Sequence, residues 1–146
     1  MATWLLKTEP SEYAFAKLVR DRHTVWSGVT NALALKHLWA MRKDDTAFIY
    51  HTGAEKRIVG LARVASDPYP DPKARDPKIV VVDLAPKRPL AVPVPLAAIK
   101  ADARFRDFAL VRIGRLSIMP VPPEVATALL AMASGAGTGR RMTNSP

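Results

Sequence analysis

The alternation of apolar and polar residues divides the chain into short segments of strand type and helix type. The strand-like segments are rich in β-branched and aromatic residues, and glycine, proline or charged residues bound them. They lie at residues 3–7, 45–52, 57–67, 78–90 and 114–121. The second and third are joined by residues 53–56, which predicts a β-hairpin. The fourth is the most apolar, which predicts a central strand.

Two segments of the first half of the chain have the spacing of amphipathic helices. Phe15, Leu18 and Val19 fall on one helical face, and Ser11, which follows Pro10, is the predicted N-cap of that helix. The residue before the second helix is Asn31, and either Asn31 or Thr30 is expected to cap it.

Leu35, Leu38 and Trp39 are predicted to form the buried stripe of the second helix. Trp4 lies inside the first strand segment, so it is expected to belong to the core as well. Trp26 lies between regular elements, where a large ring either anchors a loop to the core or forms the wall of a binding site.

The second half of the chain predicts a short helical element and a closing helix, separated by the last strand. Proline and charge mark an exposed loop, and a final segment without apolar periodicity predicts a disordered tail. The short helical element is predicted over residues 94–105 and the closing helix over residues 122–133. The exposed loop covers residues 68–77, and the disordered tail covers residues 134–146. We therefore expect one mixed α+β domain over residues 1–133, built on a curled sheet or small barrel.

Composition limits the class of protein. A length of 146 residues with 49% apolar residues suffices for one domain with a real core. There is no cysteine, which excludes disulfides, thiolate metal sites and cysteine nucleophiles. No stretch approaches the roughly 18 apolar residues of a membrane span, and the first residues lack a signal-peptide run. We expect a cytoplasmic protein with no membrane partner.

The charge balance favours a polyanionic partner. Lys and Arg number 22 against 13 Asp and Glu, which gives a formal net charge of +9. Arg140 and Arg141 lie in the predicted tail, so residues 1–133 keep a net charge of +7. A basic excess within a small folded domain is typical of nucleic-acid-binding proteins.

Motifs for catalysis and metal binding are absent from the sequence. The three histidines have no metal-ligand spacing, and there is no HExxH, GxSxG or phosphate-binding glycine loop. Glu9 and Glu12 are explained by the favourable dipole at a helix start. We expect a binding protein that is not an enzyme and has no metal or cofactor.

Polar residues cluster next to the predicted strands: two clusters end a strand, one precedes the second helix and one begins a strand. If the strands curl into a barrel, these ends meet at one mouth. Along the second strand, Tyr50 and His51 alternate in direction, so one of them, not both, is expected to face a pocket there. The clusters comprise Lys7, Thr8 and Glu9; Trp26 and Ser27; Tyr50, His51 and Thr52; and Arg115, Leu116 and Ser117.

Five ordered segments carry a resemblance to a known family: "WLLKTEPSEY", "WSGVTN", "FIYHTG", "IVGLARV" and "RLSIMPV". In this order they resemble the EVE domain, a member of the PUA-like superfamily of nucleic-acid-binding pseudo-barrels, over residues 2–133. The resemblance implies a pseudo-barrel of mixed, mostly antiparallel strands with several short flanking helices. It also implies a reader of modified bases in DNA, related to the YTH domains.

The likeness of "VWSG" and "LKTE" to YTH domains implies roles for individual residues. Trp26 would form one wall of a pocket for an extruded base, the Ser27 backbone would meet the base edge, and Thr8 and Glu9 would form the floor. No ring falls in "KIVVVDL", where YTH proteins place a second cage aromatic. The resemblance therefore implies one aromatic wall and an aliphatic wall from Leu116.

This chain departs from the usual EVE pattern at Thr30, Ala32 and Leu33, where an Arg and a Tyr-Gln pair are common. Two other functions stay open. One is an RNA-binding PUA-like module acting on tRNA or rRNA, and the other is a small-molecule binder or enzyme that uses the same pocket.

The expected partner is modified DNA, or RNA in the alternative, and the protein is expected to be monomeric. The residues expected to contact the base are Lys7, Thr8, Glu9, Trp26, Ser27, Asn31, Tyr50, His51, Leu116 and Ser117. Those expected to contact phosphates are Arg57, Arg63, Arg112 and Arg115.

Overall fold

The structure is a computed structural model that describes residues 1–135. Seven strands lie within these residues and form a single mixed sheet. Their bounds are β1 Thr3–Thr8, β2 Thr24–Trp26, β3 Thr46–His51, β4 Arg57–Val64, β5 Tyr69–Pro70, β6 Val80–Pro95 and β7 Ile118–Pro120.

Short helices connect and flank these strands. The bounds of the helices are α1 Pro10–Tyr13, α2 Phe15–Asp21, α3 Ala32–Ala40, α4 Leu96–Lys100, α5 Ala109–Arg112 and α6 Pro123–Ala133. A 3₁₀ turn, Ala103–Phe105, follows α4. Within residues 1–135, no helix is long and apolar enough to cross a membrane.

The sheet has the strand order β2-β6-β4-β3-β1-β7, and the short β5 pairs with β6. Strands β1 and β3 run parallel, whereas the other pairs are antiparallel. The sheet curls into a half-barrel, which confirms the predicted fold class. The predicted hairpin is formed by β3 and β4, and the predicted central strand, β6, pairs with β2, β4 and β5.

The core fills the curled sheet and covers β3 on both faces. Every residue of β3 from Ala47 to His51 is buried. The ring of Phe15 packs directly over Gly60 of β4, where the Cβ of any larger residue would overlap it. Trp4 is 6% exposed and donates its Nε1–H to Asp45 at 2.9 Å, which confirms it as a core residue.

The first predicted helix is two short helices. Ala14 has an extended backbone, with φ −81° and ψ 157°, and it separates α1 from α2. The predicted cap Ser11 is wrong, because Glu9 is the N-cap of α1 and its carboxylate accepts a hydrogen bond from the Ser11 backbone N–H. Pro10 occupies the first helical position, where its missing N–H costs nothing.

The second predicted helix, α3, buries Leu38 as predicted, and the partly buried Leu35 packs against the core, but Trp39 does not belong to the buried face. Asn31 is its N-cap and accepts a hydrogen bond from Ala34 N at 3.0 Å. Ala34 and Leu38, one turn apart, are fully buried, and this direction of the helix faces the sheet. Trp39 points elsewhere and is 48% exposed, so the prediction that it is a core residue is wrong.

Strands β2 and β5 and helix α5 were not predicted from the sequence, because each has only two to four residues. Of the predicted tail, Ser134 and Gly135 follow α6, and residues 136–146 lie outside the described residues.

Candidate functional site

A cleft of about 490 Å³ opens where the curled sheet leaves its two edges unpaired. One side of the cleft comes from the end of β1 and from α1, and the other from the edge strand β2 and residues 27–31. Ser117, directly before the other edge strand β7, also lines it. Seven of the ten predicted base-contacting residues meet here: Lys7, Thr8, Glu9, Trp26, Ser27, Asn31 and Ser117.

Trp26 is the last residue of β2, not a loop residue as predicted. It pairs with Val82 of β6, so the long central strand fixes its position. The ring is half-buried, packs against the core cluster and also lines the cleft. The two interpretations of Trp26 therefore combine, since one part of the side chain is anchored and another is available to a ligand.

Tyr13 supplies a second ring that the sequence interpretation missed. Its ring centroid lies 6.3 Å from that of Trp26, with an interplanar angle of 82°. The Tyr13 hydroxyl donates to Asp21 at 3.1 Å, and burial raises the pKa of Tyr13. The cleft thus has two aromatic residues instead of one. The signal was present in the sequence, because Tyr13 ends the segment "WLLKTEPSEY".

Leu116, expected to form an aliphatic wall, does not line the cleft. It is 4% exposed and belongs to the core. The apolar side chains lining the cleft besides the two rings are Val25 and Val29, from β2 and the loop that follows it. The predicted position of Leu116 was wrong because Ser117, its neighbour, takes the outward direction.

The predicted floor residues hold the architecture of the cleft together. Thr8 Oγ1 donates to Tyr13 O at 2.7 Å, which ties the end of β1 to α1. The Glu9 carboxylate accepts hydrogen bonds from Ser11 Oγ at 3.2 Å and from Thr52 Oγ1 at 3.1 Å. These contacts fix three chain segments around Tyr13, and hence around the ring that supports Trp26.

The rim of the cleft is a turn between β2 and α3. Gly28 adopts φ +80°, a left-handed conformation that larger side chains rarely take. The turn leaves Ser27 and Thr30 exposed, so hydroxyl and backbone groups are accessible along the rim. Among the positions that depart from the usual EVE pattern, Thr30 lines the cleft, whereas Ala32 and Leu33 are exposed on α3 and do not.

The profile of the EVE domain matches residues 2–132, almost the whole described chain. This chain belongs to the EVE domain family. Its curated relatives include human thymocyte nuclear protein 1, which is 28% identical, with the alignment covering 83% of this chain and 69% of the relative. The chicken protein is 30% identical, and 64% of its length is covered.

Solved structures of other proteins share this EVE fold. An NMR structure of a Rhodopseudomonas palustris protein is 40% identical, with a TM-score of 0.86 and coverage of 93% of this chain and 94% of that one. A crystal structure of human THYN1 is 26% identical, with a TM-score of 0.84 and coverage of 91% and 98%. That human protein was crystallised in complex with DNA containing 5-methylcytosine.

Two predicted residues of this EVE domain lie on β3 and do not line the cleft. His51 is 7% exposed, its Nε2 accepts a hydrogen bond from Phe15 N at 3.0 Å, and its Nδ1 lies 2.9 Å from Glu55 Oε1. Since Nε2 accepts, Nδ1 carries the proton and donates to Glu55. Tyr50 is 3% exposed and lines a separate, smaller cavity. Neither residue meets the expectation that one of them faces the pocket, because β3 is covered on both faces.

The four predicted phosphate-contacting arginines of the EVE domain lie outside the cleft. Arg57 and Arg63 pair with Glu55 and Asp44 at 3.3 and 3.1 Å. Arg112 and Arg115 are exposed and have no ion pair within residues 1–135. Arg115 lies two residues before Ser117, which lines the cleft.

The described part of the EVE domain contains no group of three or more His, Asp or Glu side chains arranged to hold a metal. Its cleft is lined by aromatic rings, hydroxyls and backbone groups, by Lys7 and Asn31, and by the acidic residues Glu9 and Glu12. Burial lowers the pKa of Lys7, and its Nζ donates to Gly114 O at 2.8 Å. This set of groups is suited to stacking and hydrogen bonding.

Proposed function

We propose that this EVE domain binds DNA and accepts a modified base, extruded from its strand, in the cleft beside Trp26. The observation that carries the proposal is the position of Trp26, whose ring is anchored in the core yet lines the cleft at the open end of the sheet. The human relative in complex with 5-methylcytosine-containing DNA supports DNA as the ligand and 5-methylcytosine as the first modification to test.

The dimensions and chemistry of the cleft support this function. Its volume of about 490 Å³ falls in the range of about 300–1,000 Å³ that is usual for ligand pockets. Trp26 offers a stacking surface, and the exposed Ser27 and Thr30 offer hydrogen-bonding groups for a base edge. A site of this kind reads an unpaired base by stacking and by its Watson–Crick edge.

Base stacking and phosphate contacts contribute differently to the free energy of binding. Extruding a base costs a few kcal/mol, and stacking it on an aromatic ring returns about 1–3 kcal/mol, so the two nearly cancel. The affinity must then come mainly from phosphate contacts, which a net charge of +7 over residues 1–133 can provide. Discrimination between bases comes from the cleft. We expect dissociation constants of about micromolar order at physiological salt.

A panel of oligonucleotides tests the proposal. Fluorescence anisotropy would compare DNA containing 5-methylcytosine with the same sequence containing cytosine, and with an RNA of that sequence. We expect tighter binding to the modified DNA and a steep salt dependence, since each phosphate contact contributes about 0.7–0.9 to the log–log slope. Equal binding of all DNA oligonucleotides across a set of modified cytosines and adenines would overturn the base-reading function. Preference for RNA would show instead that 2′-hydroxyl groups contribute to recognition.

A further inference from the structure

A second cavity of about 200 Å³ lies beside the cleft. It is formed by Tyr50 at the end of β3, by the loop that joins β3 to β4, and by α4, α5 and Gly114. Lys7 lines both the cleft and this cavity. The two sites are therefore adjacent and share this lysine.

The charge of this second cavity is positive. Lys7, Lys56 and Lys100 line it, and no acidic residue does. None of these lysines forms an ion pair within residues 1–135. The neighbouring Glu9 carboxylate contacts Thr52, and its oxygens already accept hydrogen bonds from Ser11 and Thr52. Three lysines line the cavity and the Glu9 carboxylate lies close to Gly53 at its edge, so the surroundings keep a net positive charge, which favours an anionic ligand.

Tyr50 adds a buried hydrogen-bond donor to the second cavity. Only 3% of Tyr50 is exposed, and its hydroxyl has no hydrogen-bond partner within residues 1–135. A buried hydroxyl without a partner costs about 1–3 kcal/mol, so such groups usually have a ligand or an ordered partner. A tyrosine hydroxyl carries its proton at neutral pH and can donate, and burial raises the pKa of Tyr50 further. The Lys7 ammonium lies 5.7 Å from the centroid of the same ring.

The size of the cavity selects among anions. A volume of about 200 Å³ lies below the usual range of about 300–1,000 Å³ for pockets that hold larger organic ligands. A tetrahedral oxyanion is compact and accepts several charge-assisted hydrogen bonds at once. Lysines around a hydroxyl donor provide such bonds from more than one direction.

We propose that this second cavity binds a phosphate group, and that the group is the backbone phosphate next to the extruded base. The assignment to DNA rests on the proposed function, whereas the phosphate site rests on the cavity itself. Lys7 then contacts both subsites, so base and phosphate are held at a fixed separation. Stacking contributes little net binding free energy, because extrusion of the base nearly cancels it. The phosphate contact adds to the affinity, and only a correctly placed nucleotide makes it.

The first test uses inorganic phosphate and the full chain, without DNA. Phosphate would be titrated at constant ionic strength while the amide NMR signals of Gly53 and Gly114, which line the cavity, are followed. We expect saturable shifts, and binding about tenfold weaker in Tyr50→Phe, which removes only the hydroxyl. The double variant Lys56→Gln/Lys100→Gln should also bind more weakly. The matched control Lys73→Gln/Lys78→Gln makes the same charge change outside both cavities and should bind phosphate as the wild type does.

The second test uses 5-methylcytosine DNA in which uncharged methylphosphonate linkages flank the modified base. We expect this replacement to weaken binding to the wild type about tenfold and to have a much smaller effect on Lys56→Gln/Lys100→Gln. If the DNA shows no base preference but phosphate still binds through Tyr50 and the lysines, the proposed function fails and the phosphate site stands. If the base preference is intact while phosphate causes no saturable shifts at Gly53 or Gly114, the phosphate site is overturned. Equal losses for wild type and double variant on methylphosphonate DNA would also overturn it.

Discussion

The rings of Tyr13 and Trp26 meet edge to face, with centroids 6.3 Å apart and an interplanar angle of 82°. Rings held nearly perpendicular do not form the parallel walls of a sandwich around a base. Instead Tyr13 supports Trp26 from the side, so the proposed stacking surface for a base is the Trp26 ring alone. Because the Thr8 side chain bonds the backbone of Tyr13, the end of β1 fixes this ring pair.

Removal of the Tyr13 ring should weaken base recognition without removing the stacking residue. An aromatic pair is worth about 0.5–1.5 kcal/mol, so Tyr13→Ala should weaken binding of 5-methylcytosine DNA about two- to tenfold. Tyr13→Phe is the matched control, since it keeps the ring and loses only the hydroxyl contacts with Asp21 and Thr24. Anisotropy titrations of both variants would check this. An equal loss in the two variants would show that the hydroxyl, not the ring, matters.

His51 should prove to be a structural residue. Its Nε2 accepts the buried Phe15 N–H, and His51→Ala leaves that donor without a partner. We expect the free energy of unfolding to fall by about 1–3 kcal/mol, measured by urea denaturation. The preference for modified over unmodified DNA should persist, because His51 does not line the cleft. Loss of that preference with unchanged stability would instead place His51 in the recognition site.

The elements that the sequence predicts are those whose signal is local. The β3–β4 hairpin, the apolar β6 and the proline-opened α6 each have a run long enough to show its own period. Strand β2 has three residues, and it is a strand because Thr24–Trp26 pairs with β6, more than fifty residues later in the chain. No local pattern contains that pairing, so Trp26 was predicted to lie in a loop.

The candidate site was only partly predicted, because local sequence patterns do not contain contacts between distant segments. Strand ends supplied Lys7, Thr8 and Ser117, because the end of a strand is visible in the sequence. Tyr13 was missed, since its approach to Trp26 depends on how α1 returns over the end of β1. Trp39 was assigned to the core because it falls on one helical stripe with Leu35 and Leu38, but the fully buried Ala34 and Leu38 set the direction in which α3 faces the sheet.

The stability of the fold at high pH should depend on the hydrogen bond between Tyr69 and Asp83. Asp83 lies on β6, in the segment that pairs with β2, the strand that carries Trp26. The Tyr69 hydroxyl donates to Asp83 at 2.6 Å, and this hydrogen bond raises the pKa of Tyr69 to about 12. The folded state therefore holds this proton more tightly than the unfolded state, whose tyrosine pKa is about 10. The contribution is complete below pH 10 and is lost as pH rises towards 12.

Thermal melts of the wild type and Tyr69→Phe between pH 8 and pH 11.5 would measure this contribution. The wild type should be the more stable at pH 8, and the difference in Tm should shrink above pH 10. Because the other groups titrate equally in both proteins, the difference in Tm between them measures the contribution of the Tyr69 proton. A difference that stays constant over the whole range would mean that the bond to Asp83 does not hold the proton of Tyr69.

The ratio of dissociation constants for cytosine and 5-methylcytosine DNA tests most directly whether an extruded, modified base stacks on Trp26. In Trp26→Ala we predict that this ratio falls to about one and that salt-dependent background binding persists, since stacking contributes about 1–3 kcal/mol. Trp39→Ala, which removes an exposed tryptophan outside the cleft, should keep the wild-type ratio. Thermal melts must show that both variants are folded. A folded Trp26→Ala protein that retains the wild-type preference would contradict the account, and so would a Trp26→Ala protein that does not fold, because Trp26 would then be a core residue alone.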